Sequence, residues 1–98
     1  MALPSIERNA VATLLIVDDD RSARDGLRSI FETAGHRTIT VSDAPEALRL
    51  LHEQSCDLVM LDVELPDVDG LALCRLVRAQ PALKQLPLVV FSANDSES

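Results

Sequence analysis

Two short apolar runs that both end in carboxylates constrain this chain most. Leu14-Leu15-Ile16-Val17 runs into Asp18-Asp19-Asp20, and Leu58-Val59-Met60-Leu61 runs into Asp62. Aliphatic runs without alternation have the pattern of strands buried on both faces, which is the pattern of a parallel sheet. Acids that close such strands stand at the carboxyl edge of an open α/β sheet, where these folds bind ligands. Carboxylates gathered there raise one another's pKa, so a cluster of them recruits a hard cation. The chain therefore reads as a magnesium-type acid pocket in which one carboxylate, Asp62, is placed to react.

The intervening segments are helical or edge-like. From Arg21 to Ala34, the residues Ala23, Leu27, Ile30, Phe31 and Ala34 share one helical face, with Asp20 or Ser22 to start the helix and Gly35 to stop it. His36 to Val41 alternates, with Arg37, Ile39 and Val41 opposite His36, Thr38 and Thr40, as a half-exposed edge strand does. Asp43-Ala44-Pro45-Glu46 starts a second helix, with Asp43 as cap and Glu46 placed to reach back to it. Ala44, Ala47, Leu48 and Leu51 carry its buried face to about Gln54. A third helix runs from about Gly70 to Ala79, burying Leu73, Leu76 and Val77, and Pro81 forbids its continuation. Pro87 then leads into Leu88-Val89-Val90-Phe91, which ends at Ser92-Ala93-Asn94.

The order β-α-β-α-β-α-β predicts a doubly wound parallel sheet with right-handed crossovers. Its last strand is apolar throughout, the mark of a strand with neighbours on both sides, yet only Asn94-Asp95-Ser96-Glu97-Ser98 closes the sequence. The expectation is a fold cut before completion, with residues 1–12 an N-terminal tail and 13–98 the truncated domain.

Composition removes other classes. Sixteen acidic against nine basic residues give a net charge of −7, which disfavours nucleic acid and anionic membranes as partners. No apolar run approaches the roughly 20 residues that span a bilayer, and Met1 to Arg8 lacks the basic and apolar regions of a secretory signal. Cys56 and Cys74 lack metal-ligand or redox spacing, so they read as two core thiols in a reducing cytoplasm. Gly26, Gly35 and Gly70 form no dinucleotide-binding fingerprint.

Four features stand in register: Asp18-Asp19 after Leu15-Ile16-Val17, the stretch Asp57-Leu58-Val59-Met60-Leu61-Asp62, the loop Leu65-Pro66-Asp67-Val68-Asp69-Gly70, and Pro87-Leu88-Val89-Val90-Phe91-Ser92-Ala93. Together they make the chain resemble the receiver (response-regulator) domain of bacterial two-component signalling, from about Thr13 to Asn94. The resemblance implies a flavodoxin-like sheet of order 2-1-3-4, incomplete because the fifth strand and last helices are missing. It implies that Asp62 is the phosphoacceptor for a sensor histidine kinase or phosphotransfer protein. Mg²⁺ would be held by Asp19, Asp62 and the backbone carbonyl of Glu64, with Asp18 acting through water. Ser92 would bond the phosphoryl group, and Glu64 and Asn94 would tune water access to it.

Such a domain is a signalling phosphoacceptor, not a classical enzyme; it catalyses at most its own phosphorylation and dephosphorylation. Two departures matter. Asp67 stands where Gly is common, and the family's fifth-strand Lys and aromatic switch have no counterpart, the only lysine being Lys84.

Rival readings remain beside this one. A pseudo-receiver, an interaction module without phosphorylation, would not need the missing Lys. A haloacid-dehalogenase-like phosphatase would want a second Asp where Glu64 stands. Asp20 reads as a helix cap, Asp67 and Asp69 as turn residues, and His36 and His52 as residues of polar faces without a role. Four strands in that order would leave Leu88 to Phe91 as an exposed apolar edge, so self-association or a sheet-completing partner is expected.

Overall fold

The apolar runs become strands and the periodic segments become the helices between them. A computed structural model describes residues 10–65 and 70–92. In chain order it contains β1 (Thr13–Val17), α1 (Arg21–Thr33), β2 (Arg37–Val41), α2 (Ala44–Glu53), β3 (Leu58–Asp62), α3 (Gly70–Arg78), a 3₁₀ turn (Pro81–Leu83) and β4 (Leu88–Phe91). The strands form one parallel sheet of order β2-β1-β3-β4, as the sequence predicts. Residues 1–9 of the expected tail, loop residues Pro66, Asp67, Val68 and Asp69, and Asn94 lie outside the described residues.

Local chemistry sets the helix ends. Asp20 is the cap of α1, its carboxylate accepting from the Ser22 N–H at 3.0 Å. At the other end Gly35 takes φ 96°, a left-handed conformation that costs a side-chain-bearing residue energy. That turn lets the N–H groups of Gly35 and His36 donate to the carbonyls of Glu32 and Phe31 at 3.0 Å each, satisfying carbonyls the helix leaves free. Asp43 caps α2, accepting from the Glu46 N–H at 2.9 Å. The Glu46 carboxylate does not complete the expected return bond; it is taken by the guanidinium of Arg49, one turn along the helix.

The sheet has unequal faces. On one, Leu15, Val17, Val59 and Leu61 pack with Ala47, Leu50 and Leu51 of α2 and Leu73 and Val77 of α3. Cys56 and Cys74 are half-buried at the margin of this core, as expected of packing cysteines. On the other face Leu14 and Leu58 are fully buried, with Phe31 of α1, Met60 and Val89 against them. Here α1 is the covering helix among the described residues, and no residue of it is buried.

Two expected core residues are corrected by this asymmetry. Ile30 is 64% exposed, because the apolar stripe of α1 is wider than the strip of sheet it covers. Leu76 is 50% exposed, since the inward face of α3 is taken by Leu73 and Val77, with Cys74 beside them. In α2 the inward position falls to Leu50, while Leu48 is half-buried. β4 is apolar throughout yet lies at the sheet edge, where Val90 is 39% exposed.

The far ends of the strands are fastened by two side chains. Asp57 accepts from the Thr13 N–H at 2.8 Å while its own N–H donates to the Thr13 carbonyl at 2.8 Å, so it brackets the start of β1 against β3. His36, given no role by the sequence, accepts from the Ala12 N–H through Nδ1 at 3.0 Å.

Candidate functional site

The site follows from the topology. The chain leaves β1 for β2 on one side, and β3 lies on the other, so the carboxyl ends of β1 and β3 flank the point where the winding reverses. Open α/β sheets bind ligands in the crevice at that point. Asp18 is the residue after β1, and Asp62 is the last residue of β3.

Both acids are held by backbone. The Asp18 N–H donates to the Val41 carbonyl at 3.1 Å, extending the β1–β2 ladder one residue past the strand. Its Oδ1 accepts from the Asp20 N–H at 2.9 Å, and its carbonyl accepts from Nη1 of Arg24 at 2.9 Å. Asp62 lies in register with Phe91 of β4, and the next residue, Val63, donates to the Phe91 carbonyl at 2.9 Å. The Asp62 Oδ1 accepts from the Glu64 N–H at 3.0 Å.

Gly70 closes this corner tightly. Its N–H donates to the Val63 carbonyl at 3.0 Å, and a Cβ there would sit 2.6 Å from the Val63 Cα and 2.8 Å from the Asp62 carbonyl oxygen. Only glycine lets α3 begin this close to the strand end that carries Asp62.

Asp18, Asp19 and Asp62 each contribute a carboxylate oxygen to a cluster spanning no more than 4.8 Å. Asp18 is 0% exposed and Asp62 3%, whereas Asp19 is open to solvent. Asp18 Oδ2 is buried with no hydrogen-bond partner among the described residues. An unpaired buried carboxylate oxygen is costly. The Asp18 carboxyl is accordingly pushed up from 3.8 to about 6: burial raises it most, the Asp20 N–H partly offsets this, and Asp62 and Asp19 add to the rise.

The donor set is all oxygen, dense in negative charge, closed on the Asp18–Asp62 side and open at Asp19. A hard divalent cation would relieve the repulsion, and a water bound to it would partner the orphaned oxygen, so these residues fit Mg²⁺.

The structure thus gathers Asp18, Asp19 and Asp62 as the sequence predicts. The Glu64 N–H donates to Asp62 Oδ1, and the Glu64 side chain is exposed. Ser92 is exposed and follows Phe91, the register partner of Asp62. Asp20 is a cap, as read. Arg24 and the close approach of Gly70 are what sequence reasoning missed. Neither leaves a signal in one dimension, because both partners are backbone groups.

Comparison with known proteins agrees with this geometry. Residues 14–98 match the family described as response regulator receiver domain. Response regulator MprA of Mycobacterium sp. (strain KMS) is 40% identical over 85 residues, covering 87% of this chain and 36% of MprA. Transcriptional regulatory protein AfsQ1 of Streptomyces coelicolor is 36% identical over 85 residues, again covering 87% of this chain and 36% of the relative. The chain therefore spans about a third of the length of these curated relatives. Among solved structures, the receiver domain of sensor histidine kinase PA1611 from Pseudomonas aeruginosa PAO1 superposes with a TM-score of 0.80 at 28% identity, covering 87% of this chain and 70% of that one. That structure carries a magnesium ion coordinated in its active-site cleft. With a four-strand sheet of matching order and an acid cluster at its switch point, the chain belongs to the response regulator receiver domains of two-component systems.

Proposed function

We propose that this domain accepts a phosphoryl group on Asp62, with Mg²⁺ as its cofactor and a phosphohistidine of a sensor kinase or phosphotransfer protein as donor. The observation that carries the reading is the cluster of Asp18, Asp19 and Asp62 around a buried, unpartnered carboxylate oxygen. In the transfer, a carboxylate oxygen of Asp62 attacks phosphorus, the N–P bond of the donor breaks, and its electron pair returns to the imidazole. The product is an acyl phosphate. A carboxylate is a weak nucleophile, so the rate depends on positioning and on charge neutralisation.

Asp19, Asp62 and the Glu64 backbone carbonyl would hold the cation, with Asp18 acting through water. When bound, Mg²⁺ offsets the charge of the carboxylate and of the incoming phosphoryl oxygens. The chain's own residues do the rest. The β1–β3 pairing and the Asp62 register with Phe91 fix the nucleophile, and the Glu64 N–H holds one of its oxygens. The Ser92 hydroxyl, beyond the end of β4, would bond a phosphoryl oxygen.

Charge, cysteine usage and the partner class support a cytoplasmic setting. No described helix is long and apolar enough to cross a membrane. The half-covered α1 face and the β4 edge support self-association as a second property of the isolated polypeptide. An interaction module without phosphorylation would have no use for two buried acids beside a third, so phosphoryl transfer is preferred. Acetyl phosphate with Mg²⁺ tests the reading: the chain should become labelled, and Asp62→Asn or EDTA should abolish the label. Persistent labelling of Asp62→Asn would reject Asp62 as acceptor.

A further inference from the structure

The turn from β1 into α1 presents two of the three acids, and its fastenings are unequal in kind. The Asp18 N–H is held by the Val41 carbonyl at 3.1 Å, and Asp18 Oδ1 holds the Asp20 N–H at 2.9 Å. These are contacts of backbone and of the turn itself. The Asp18 carbonyl is held by a distant side chain, Nη1 of Arg24, at 2.9 Å. Arg24 is half-buried on α1 and lines a cleft of about 280 Å³ with Ser42, Asp43 and Glu46, so its guanidinium lies between α1 and the β2–α2 connection.

We propose that Arg24 is a positioning residue for the cation site: its grip on the Asp18 carbonyl fixes the peptide plane joining Asp18 to Asp19. The inference rests on reading Asp18, Asp19 and Asp62 as the Mg²⁺ site. A peptide is a rigid plane, so holding its carbonyl also sets the direction in which Asp19 leaves it. Asp18 is packed in place by burial, but Asp19 is exposed and depends on that plane for its orientation. Six-coordinate Mg²⁺ demands near-ideal ligand placement, so a small rotation of one ligand is costly.

The guanidinium does not act by neutralising the acids. Its bond is to the Asp18 backbone carbonyl, not to a carboxylate of the cluster. Its contribution is geometric, and the rigid, permanently charged fork of Arg suits it better than the flexible ammonium of Lys.

Calorimetric titration of Mg²⁺ into the chain tests this, since the protein has no Trp or Tyr to report binding optically. Arg24→Gln should weaken Mg²⁺ binding about tenfold, or ~1.4 kcal/mol, and Arg24→Lys should recover part of the loss. Arg28→Gln removes the same charge from the exposed side of α1, where Arg28 pairs with Glu32, and should change affinity less than about twofold. Thermal unfolding in EDTA should be nearly the same for Arg24→Gln and the parent. The proposal is overturned if Arg24→Gln binds Mg²⁺ like the parent, or if it is unfolded or strongly destabilised in EDTA, which would make the role structural. An equal loss in Arg28→Gln would also overturn it, pointing to general electrostatics. A parent chain that binds no Mg²⁺ would overturn the underlying site reading as well, and the parent titration alone distinguishes that case.

Discussion

At the scale of single residues, Asp18 links the site to stability. Its carboxyl is raised from 3.8 to about 6, first by burial and then by Asp62 and Asp19. The folded chain therefore holds the proton more tightly than the unfolded chain does. Between pH values of about 4 and 6 the folded state binds more protons, so stability falls as pH rises through that window and stays lowered above it. A rise of this size is worth at most roughly 3 kcal/mol. In EDTA, the urea midpoint should be higher near pH 5 than near pH 7.5, and Asp18→Asn should flatten the difference. Mg²⁺ should restore stability near pH 7.5, binding more tightly as pH rises through about 6. Equal midpoints at the two pH values in EDTA would mean that Asp18 titrates normally. The three acids were legible in the sequence because each closes or follows an apolar run, a pattern that survives in one dimension. The orphaned oxygen that sets this pH dependence was not, because burial of one oxygen depends on how β1 and β3 are paired.

At the scale of elements, strands and caps were legible to within about a residue, since alternation, Asp caps and Gly35 act locally. The packing of α1 and α3 was not. Periodicity marks a stripe of apolar residues but not how much of it meets a neighbour, and so Ile30 and Leu76 were expected inside and stand largely exposed. Gly70 shows the same limit in reverse: a glycine at a helix start looks ordinary until the strand end beside it is known. Because its Cβ would meet the backbone of Val63 and Asp62, Gly70→Ala must displace either α3 or the end of β3. The expected cost is about 1–3 kcal/mol, read as a lowered urea midpoint, together with weaker Mg²⁺ binding from a displaced Asp62. Gly26, where a Cβ meets nothing within 4 Å, is the control, and Gly26→Ala should be neutral or stabilising. Similar behaviour of the two variants would remove the packing role given to Gly70.

At the scale of the whole molecule, the described sheet has one well-covered face, one face with α1 alone over it, and an apolar edge at β4. The 98-residue polypeptide is accordingly expected to self-associate. Sedimentation velocity should show species larger than a monomer as concentration rises, and a charge at Val90, as in Val90→Lys, should suppress them. A cooperatively unfolding monomer at all concentrations would show that the exposed edge is tolerated. Function at this scale comes down to whether the chain takes up a phosphoryl group where the fold brings its acids together. Borohydride reduction of the chain after reaction with acetyl phosphate and Mg²⁺ converts an aspartyl phosphate to homoserine, which peptide mass spectrometry locates. Homoserine at position 62, lost when Mg²⁺ is withheld, is the predicted result; no homoserine, or homoserine at another aspartate with Asp62 intact, would contradict it.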